Sequence, residues 1–229
     1  MIPNSEIVSD HDKAILSARA RLAERPLFLD TETTALDGEV CEIAVVDFDG
    51  VVLFDSLIKP RREIQEAARQ AHGITEKMVE GAPRFEDVWE RLKRVLLGRT
   101  VLVYNVKFDR ERLLTSARLP DGRPILPLHD DVAVVVKKDV GGKPATLPDW
   151  RCAMLLYATF HGERSANGPE YKWQKLGVAF ERECANGADL LKGAHRARAD
   201  AEMCRQVVMA MARGVTAAEA AVAPADFVG

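Results

Sequence analysis

The stretch from residue 27 to 58 constrains the fold more than any other. LFLD (27–30) is a short apolar run ending in an acid, VCEIAVVDF (40–48) is a longer one, and VVLFDSLI (51–58) a third. Asp49-Gly50 separates the last two. Asp-Gly suits the tight turns of hairpins, whose central residues need positive φ. The chain therefore opens a sheet with three sequential strands, at least two of them antiparallel. Helical patterns follow at 63–71 and at FEDVWERLKRVL (85–96), where Val88, Leu92, Val95 and Leu96 make one apolar stripe and Gly98 marks the end. VLVY (101–104) is a further strand and DRERLLTSA (109–117) a further helix. Residues 118–127 are rich in turn formers, 125–135 has strand character, and KKDVGGKP (137–144) reads as an exposed loop. Helices are expected at 147–160, 172–183 and 196–213. Upstream, 11–25 has helical periodicity through Ile15, Ala18 and Leu22, stopped by Pro26. This order predicts an α/β fold, a mixed central sheet covered by helices. The expected organisation is a helical extension (1–25), one domain (26–213) and an alanine-rich tail (214–229).

No Gly-rich dinucleotide loop follows the first strand, and no phosphate-binding GxxxxGK[ST] occurs, which argues against nicotinamide and P-loop chemistry. The four cysteines (Cys41, Cys152, Cys184, Cys204) are scattered and suit apolar fillers in a reducing compartment. The N-terminus is too polar for a signal peptide and no 18-residue apolar run exists, so the expectation is a cytoplasmic chain without a membrane span. Net charge is −3, so any nucleic-acid partner must meet a local basic surface rather than a global field. Lys59–Arg62, Lys107–Arg112, Lys137–Lys143 and Arg196–Arg198 are the local groups available.

Three acidic motifs carry the chemistry. In FLDTET, Asp30 and Glu32 share one strand face because the side-chain period is two. Two close anions repel, burial sharpens the cost, and hard divalent cations would relieve it. In NVKFD (105–109), Asp109 is either a first-turn helix acid or a third carboxylate at the same sheet end; Asn105 either ties down the strand-to-helix loop or is simply a polar loop residue. In HRARAD (195–200), His195 and Asp200 would stand about 140° apart on a continuous helix, so they share a pocket more readily if His195 precedes the helix.

FLDTET, NVKFD and HRARAD, in this order, resemble the motifs of the DEDD (DnaQ-like) 3′–5′ exonuclease superfamily, in its histidine-containing DEDDh branch. The resemblance covers most of residues 26–212, with weaker echoes in HGIT (72–75), GAPRFEDV (81–88) and YKWQKLG (171–177). It implies a ribonuclease-H-like exonuclease fold. It implies that Asp30, Glu32, Asp109 and Asp200 bind two divalent ions, Mg2+ or Mn2+, about 4 Å apart across the scissile phosphate. His195 would deprotonate the attacking water; an imidazole, which titrates near ~6.5 in water, suits that duty near neutral pH. Ala35 stands where relatives often carry glycine, and Tyr104 where they often carry histidine.

The implied reaction releases nucleoside 5′-monophosphates from a free 3′ end, with single-stranded or frayed DNA as the expected partner. Thr31, Thr33, Leu36, Asn105 and Phe108 are the expected contacts to the terminal nucleotide, although Leu36 reads equally as a turn residue tucked into the core and core packing is the plainer expectation for Phe108. Trp150 and Trp173 could stack on bases, although helix packing is the plainer expectation for each, and His72 is expected to be structural. Alternatives within the same chemistry are an RNA exonuclease or oligoribonuclease and a polymerase-associated proofreading subunit. A non-catalytic nucleic-acid scaffold belongs to another class, and the four acids argue against it. A homodimer or polymerase partner, and a role in DNA repair or replication, are compatible with the resemblance.

Overall fold

The computed structural model describes residues 8–136, 147–166, 168–184 and 193–222. Its centre is a five-stranded mixed sheet in the order β3-β2-β1-β4-β5. The strands are β1 (Leu27–Thr33), β2 (Val40–Val46), β3 (Val52–Leu57), β4 (Thr100–Val103) and β5 (Asp149–Cys152). β1, β2 and β3 pair antiparallel, while β4 runs parallel to β1 and β5 parallel to β4. The three-strand opening is as expected, with Gly50 at φ 85 in the hairpin turn.

Alternation along β1 decides what each face of the sheet does. Leu27 and Leu29 point to one side, where they meet Val101 and Val103 of β4 and the buried residues of α4 (Phe85–Leu96) and α6 (Leu128–Val136). The α4 stripe keeps Val88, Leu92 and Leu96 from the expected set, leaves Val95 half-buried and adds the buried Phe85 and Trp89, and Asp87 accepts from the Arg84 backbone N–H at 2.9 Å. Phe28 points to the opposite side with Leu102 and Tyr104. There it packs on α9 (Ala197–Arg213), whose Met203, Cys204, Val207, Val208 and Met211 are buried. α1 (Asp10–Ala23), α7 (Ala153–His161) and α8 (Leu176–Glu183) complete this layer through Ala18, Tyr157 and Phe180. Asp30 and Glu32 follow Phe28 at the two-residue period, so they sit on the α9 face.

The shorter helices are α2 (Glu66–His72), α3 (Glu76–Val79), α5 (Val106–Ser116) and α10 (Ala217–Val222). Four assignments differ from the sequence expectation. The stretch at 125–135 was expected to be a strand, yet Leu128–Val136 is helical. Val132, Val135 and Val136 fall at i, i+3 and i+4 and bury together, and Asp131 accepts from Trp89 Nε1 at 2.5 Å and Lys93 Nζ at 2.8 Å. The helix expected at 147–160 is instead a strand and then a helix: Asp149–Cys152 adds to the free edge of β4, and the helix starts only at Ala153. The helix expected at 172–183 starts at Leu176, because side-chain bonds hold 171–175 in an irregular loop. The short helix α3, capped by Thr75, lies where none was expected. The loop expected at 137–144 and the tail beyond 222 lie outside the described residues.

Among the described residues, no helix is long and apolar enough to cross a membrane. The four cysteines are free thiols, with Cys41 and Cys204 buried.

Candidate active site

Five groups from three places in the chain meet at one end of β1. Asp30 and Glu32 come from β1 and are partly buried. Asp109 is the fourth residue of α5, 3% exposed, so it is more than a solvated cap: its carboxylate accepts from Thr31 Oγ1 at 2.8 Å. Asp200 is the fourth residue of α9, and His195 lies two residues before that helix. The His195 backbone N–H donates to Asp200 Oδ1 at 3.0 Å. His195 has φ 61, the left-handed region, which costs a residue with a Cβ about 1–2 kcal/mol. That backbone turn brings its exposed ring back over the acids. Donor atoms of Glu32, His195 and Asp200 lie within 4.8 Å of one another, a set able to chelate a metal ion.

The electrostatics record the crowding. Burial is the main cause of every shift. The Asp30 carboxyl is held well above its ordinary range by burial, then by Asp109, Asp200, Glu32 and Glu42. Glu32 is raised to about 8 by burial and by Asp200, Glu42 and Asp109, with Arg196 opposing. Asp109 rises to about 7 by burial against the pull of its hydrogen bonds, and Asp200 to about 6 by burial against the His195 N–H. Carboxylates this close lack enough positive charge of their own. The donor set is all oxygen apart from one imidazole, which suits a hard divalent cation.

A fifth acid completes the neighbourhood. Glu42 on β2 sits directly across from Glu32 and is 4% exposed. The Arg196 guanidinium grips both of its oxygens, with Nε at 3.1 and 3.0 Å, and the Ala197 N–H donates to Glu42 Oε2 at 2.9 Å. Arg196 is the residue between His195 and the first turn of α9, so this pair ties the start of the helix to β2. Sequence reasoning did not single out Glu42. The signal was there: it is the one charge inside the apolar run VCEIAVV, and a buried acid needs a partner.

The expected nucleotide contacts divide. Thr31 is buried and its hydroxyl donates to the Asp109 carboxylate, so the side chain orients an acid. Thr33 is buried too, and its hydroxyl donates to the Ala35 carbonyl at 2.8 Å. Leu36, at the tip of that turn, is 87% exposed. The turn needs Gly38, where a Cβ would meet Thr34 Oγ1 at 2.2 Å and the Ala35 nitrogen at 2.5 Å. Asn105 is exposed and makes no side-chain cap to α5, contrary to the expectation that it ties the loop. Phe108 is partly buried, with the Arg112 guanidinium 5.5 Å from its ring. His72 is buried: its Nδ1 accepts from Ile74 N–H at 3.0 Å, so its Nε2 carries the proton and donates to the Thr33 carbonyl at 3.1 Å. Burial holds its pKa below the ordinary value, in keeping with a neutral structural ring. Trp150 is core, its Nε1 donating to the Val135 carbonyl at 2.9 Å, whereas Trp173 lies outside any helix and is 58% exposed.

Comparison with known proteins decides the family. The exonuclease family profile (RNase_T) matches residues 27–122. An uncharacterized exonuclease, CP81 of Escherichia phage 186, is 32% identical over 205 residues, spanning 88% of this chain and 96% of that protein. The chain belongs to the DEDD (DnaQ-like) exonuclease superfamily. The DNA polymerase III epsilon subunit of Treponema pallidum is 27% identical over 188 residues, covering 80% of this chain and 74% of the subunit. A solved 3′-exonuclease that recognises the histone mRNA stem-loop superposes with a TM-score of 0.52 at 15% identity, over 81% of this chain and 80% of that one. That likeness shows the ribonuclease-H-like fold of this DEDD exonuclease, and the motif set is consistent with the DEDDh branch.

Proposed function

We propose that this DEDD exonuclease removes nucleotides one at a time from the 3′ end of single-stranded or frayed DNA, releasing nucleoside 5′-monophosphates. The observation that carries the reading is the convergence of Glu32, His195 and Asp200, drawn from β1 and the start of α9, within 4.8 Å of one another. Similarity to a polymerase III epsilon subunit supports DNA as the substrate.

Asp30, Glu32, Asp109 and Asp200 would hold two divalent ions, Mg2+ or Mn2+. Bound there, the metals supply charge neutralisation at the scissile phosphate and lower the pKa of a coordinated water. Each residue of the chain has its own task. Asp30 and Glu32 fix one wall from a strand that cannot slide, since β1 is paired on both sides. Thr31 holds the Asp109 carboxylate, and the His195 N–H holds that of Asp200, so both acids are oriented before substrate arrives. His195 takes the proton of the attacking water on a ring nitrogen, and its exposed position lets that proton leave to solvent. Leu36, exposed at the turn after β1, offers an apolar surface to the terminal base. Asn105 and Phe108, at the β4–α5 junction, border the same end of the sheet.

The test supplies matched 5′-labelled single-stranded DNA, duplex DNA and RNA with magnesium or manganese, and maps the products. Stepwise 3′ shortening of the DNA strand, abolished by chelator and by Asp30→Ala, is expected. Failure to shorten any polymer would defeat the reading, and preferential trimming of RNA would move the substrate from DNA to RNA.

A further inference from the structure

The exposed tryptophan in YKWQKLG lies in a loop that is bonded to the strand end carrying the acids. Val103 of β4 is in register with Leu29 of β1, so Tyr104 follows beside Asp30. Tyr104 packs in the same cluster as Phe28, which places it on the face that carries Asp30 and Glu32. From there its hydroxyl donates to the Gln174 carbonyl at 2.9 Å. Trp173 is the next residue back, and α8, which follows at Leu176, packs on the same face through Phe180.

The loop that presents Trp173 is tied at every neighbouring residue. Tyr171 donates its hydroxyl to Asp10 Oδ2 at 2.7 Å, and the Arg164 guanidinium lies 4.0 Å over its ring. The Lys172 backbone N–H donates to the Glu163 carbonyl at 2.8 Å, and Lys172 Nζ bonds the Glu163 side chain at 2.7 Å. Gln174 Nε2 bonds the other Glu163 oxygen at 2.8 Å. Trp173 alone in this run leaves a large apolar side chain in solvent, 58% exposed, between the exposed Lys172 and Lys175. With Lys172 paired to Glu163, a braced backbone, an exposed aromatic face and the neighbouring Lys175 cation are the features that suit a sequence-tolerant platform for single-stranded nucleic acid.

We infer that Trp173 stacks on a base of the single strand just 5′ of the terminal nucleotide, and that Lys175 faces the backbone phosphate beside it. The inference rests on the exonuclease reading above and adds to it a subsite for the strand outside the catalytic pocket. Tyr104 is what ties the platform to the strand end beside Asp30.

The chain offers a direct probe. Of its three tryptophans, Trp89 and Trp150 are 1% and 8% exposed, so a fluorescence change on binding reports Trp173. Oligothymidylate is titrated into the full chain in an Asp30→Asn background, which leaves the strand uncut. Quenching is expected, and Trp173→Phe should remove it while keeping affinity within a few-fold. Trp173→Ala should raise Kd and, in the Asp30 protein, KM by about 5- to 150-fold, the equivalent of one lost base–aromatic stack. Its kcat should stay within about twofold, and a dinucleotide too short to reach the platform should show no change in KM.

Absence of quenching, or an unchanged KM in Trp173→Ala, would overturn the inference. So would a change confined to oligomeric state in sedimentation, which would mark the tryptophan as a protein contact. The two readings fail separately. Strand cleavage with no quenching removes only the platform, whereas quenching without cleavage of any polymer removes only the exonuclease reading.

Discussion

His195 sits at the boundary between what a motif can tell and what only a backbone can. Its role as base predicts that His195→Ala slows turnover by about 10²- to 10⁴-fold. Manganese binding measured by calorimetry should be largely retained, because the four carboxylates remain. Near-normal rates across a pH series would remove the assignment. Asp30, Glu32, Asp109, His195 and Asp200 were all legible as candidates, since each lies in a short motif. Their support was not. The Glu42–Arg196 pair joins residues far apart in the sequence, and only the β1–β2 register puts Glu42 opposite Glu32. Removing the cation leaves a buried carboxylate beside other carboxylates. Arg196→Ala should therefore cost about 1–3 kcal/mol in chemical denaturation, less than a fully buried pair because the Arg196 side chain is 42% exposed. Adding Glu42→Gln to that variant should recover most of the loss; a double variant as unstable as the sum of the two singles would show that the pair is not coupled.

At the scale of elements, α4 and α6 hold the face of the sheet opposite the acids. Trp89 is their shared post, buried among the strand residues and donating to Asp131 of α6. Trp89→Ala should lower stability by about 3–5 kcal/mol, read as a shift in urea midpoint. An unchanged midpoint would mean that the two helices dock without it. The same pair of helices shows why element type was only partly readable. The α4 stripe was plain because its polar face is strongly charged. The valine-rich run of α6 has no such face, and β-branched residues favour strands, so tertiary burial at i, i+3 and i+4 decided the outcome. β5 was missed for the converse reason. Four residues, Asp149–Cys152, carry too little pattern to stand out, and they become a strand because the edge of β4 is there to pair with.

For the molecule as a whole, the crowded acids link stability to pH and to cations. Glu32 near 8, Asp109 near 7 and Asp200 near 6 all stand above the ~4 expected of the unfolded chain. Between those limits the metal-free folded state binds more protons than the unfolded one. The contribution of these three acids to stability is therefore full below about pH 4 and declines as pH rises towards 8. Thermal melts in chelator should show a lower midpoint at pH 8 than at pH 5. Manganese should raise the midpoint, and more at pH 8 than at pH 5, because it binds the deprotonated acids. A midpoint that climbs with pH in chelator, or one that ignores manganese, would contradict this picture.

The order of the chain has a further consequence during synthesis. β1 supplies Asp30 and Glu32 first, α5 supplies Asp109 next, and His195 with Asp200 at the start of α9 comes last. A ribosome-bound chain that has not yet released α9 holds half a nuclease, with its first acids already made and nothing to complete them. On the proposed mechanism, cutting power arrives only with α9, after the strands of the sheet have been made.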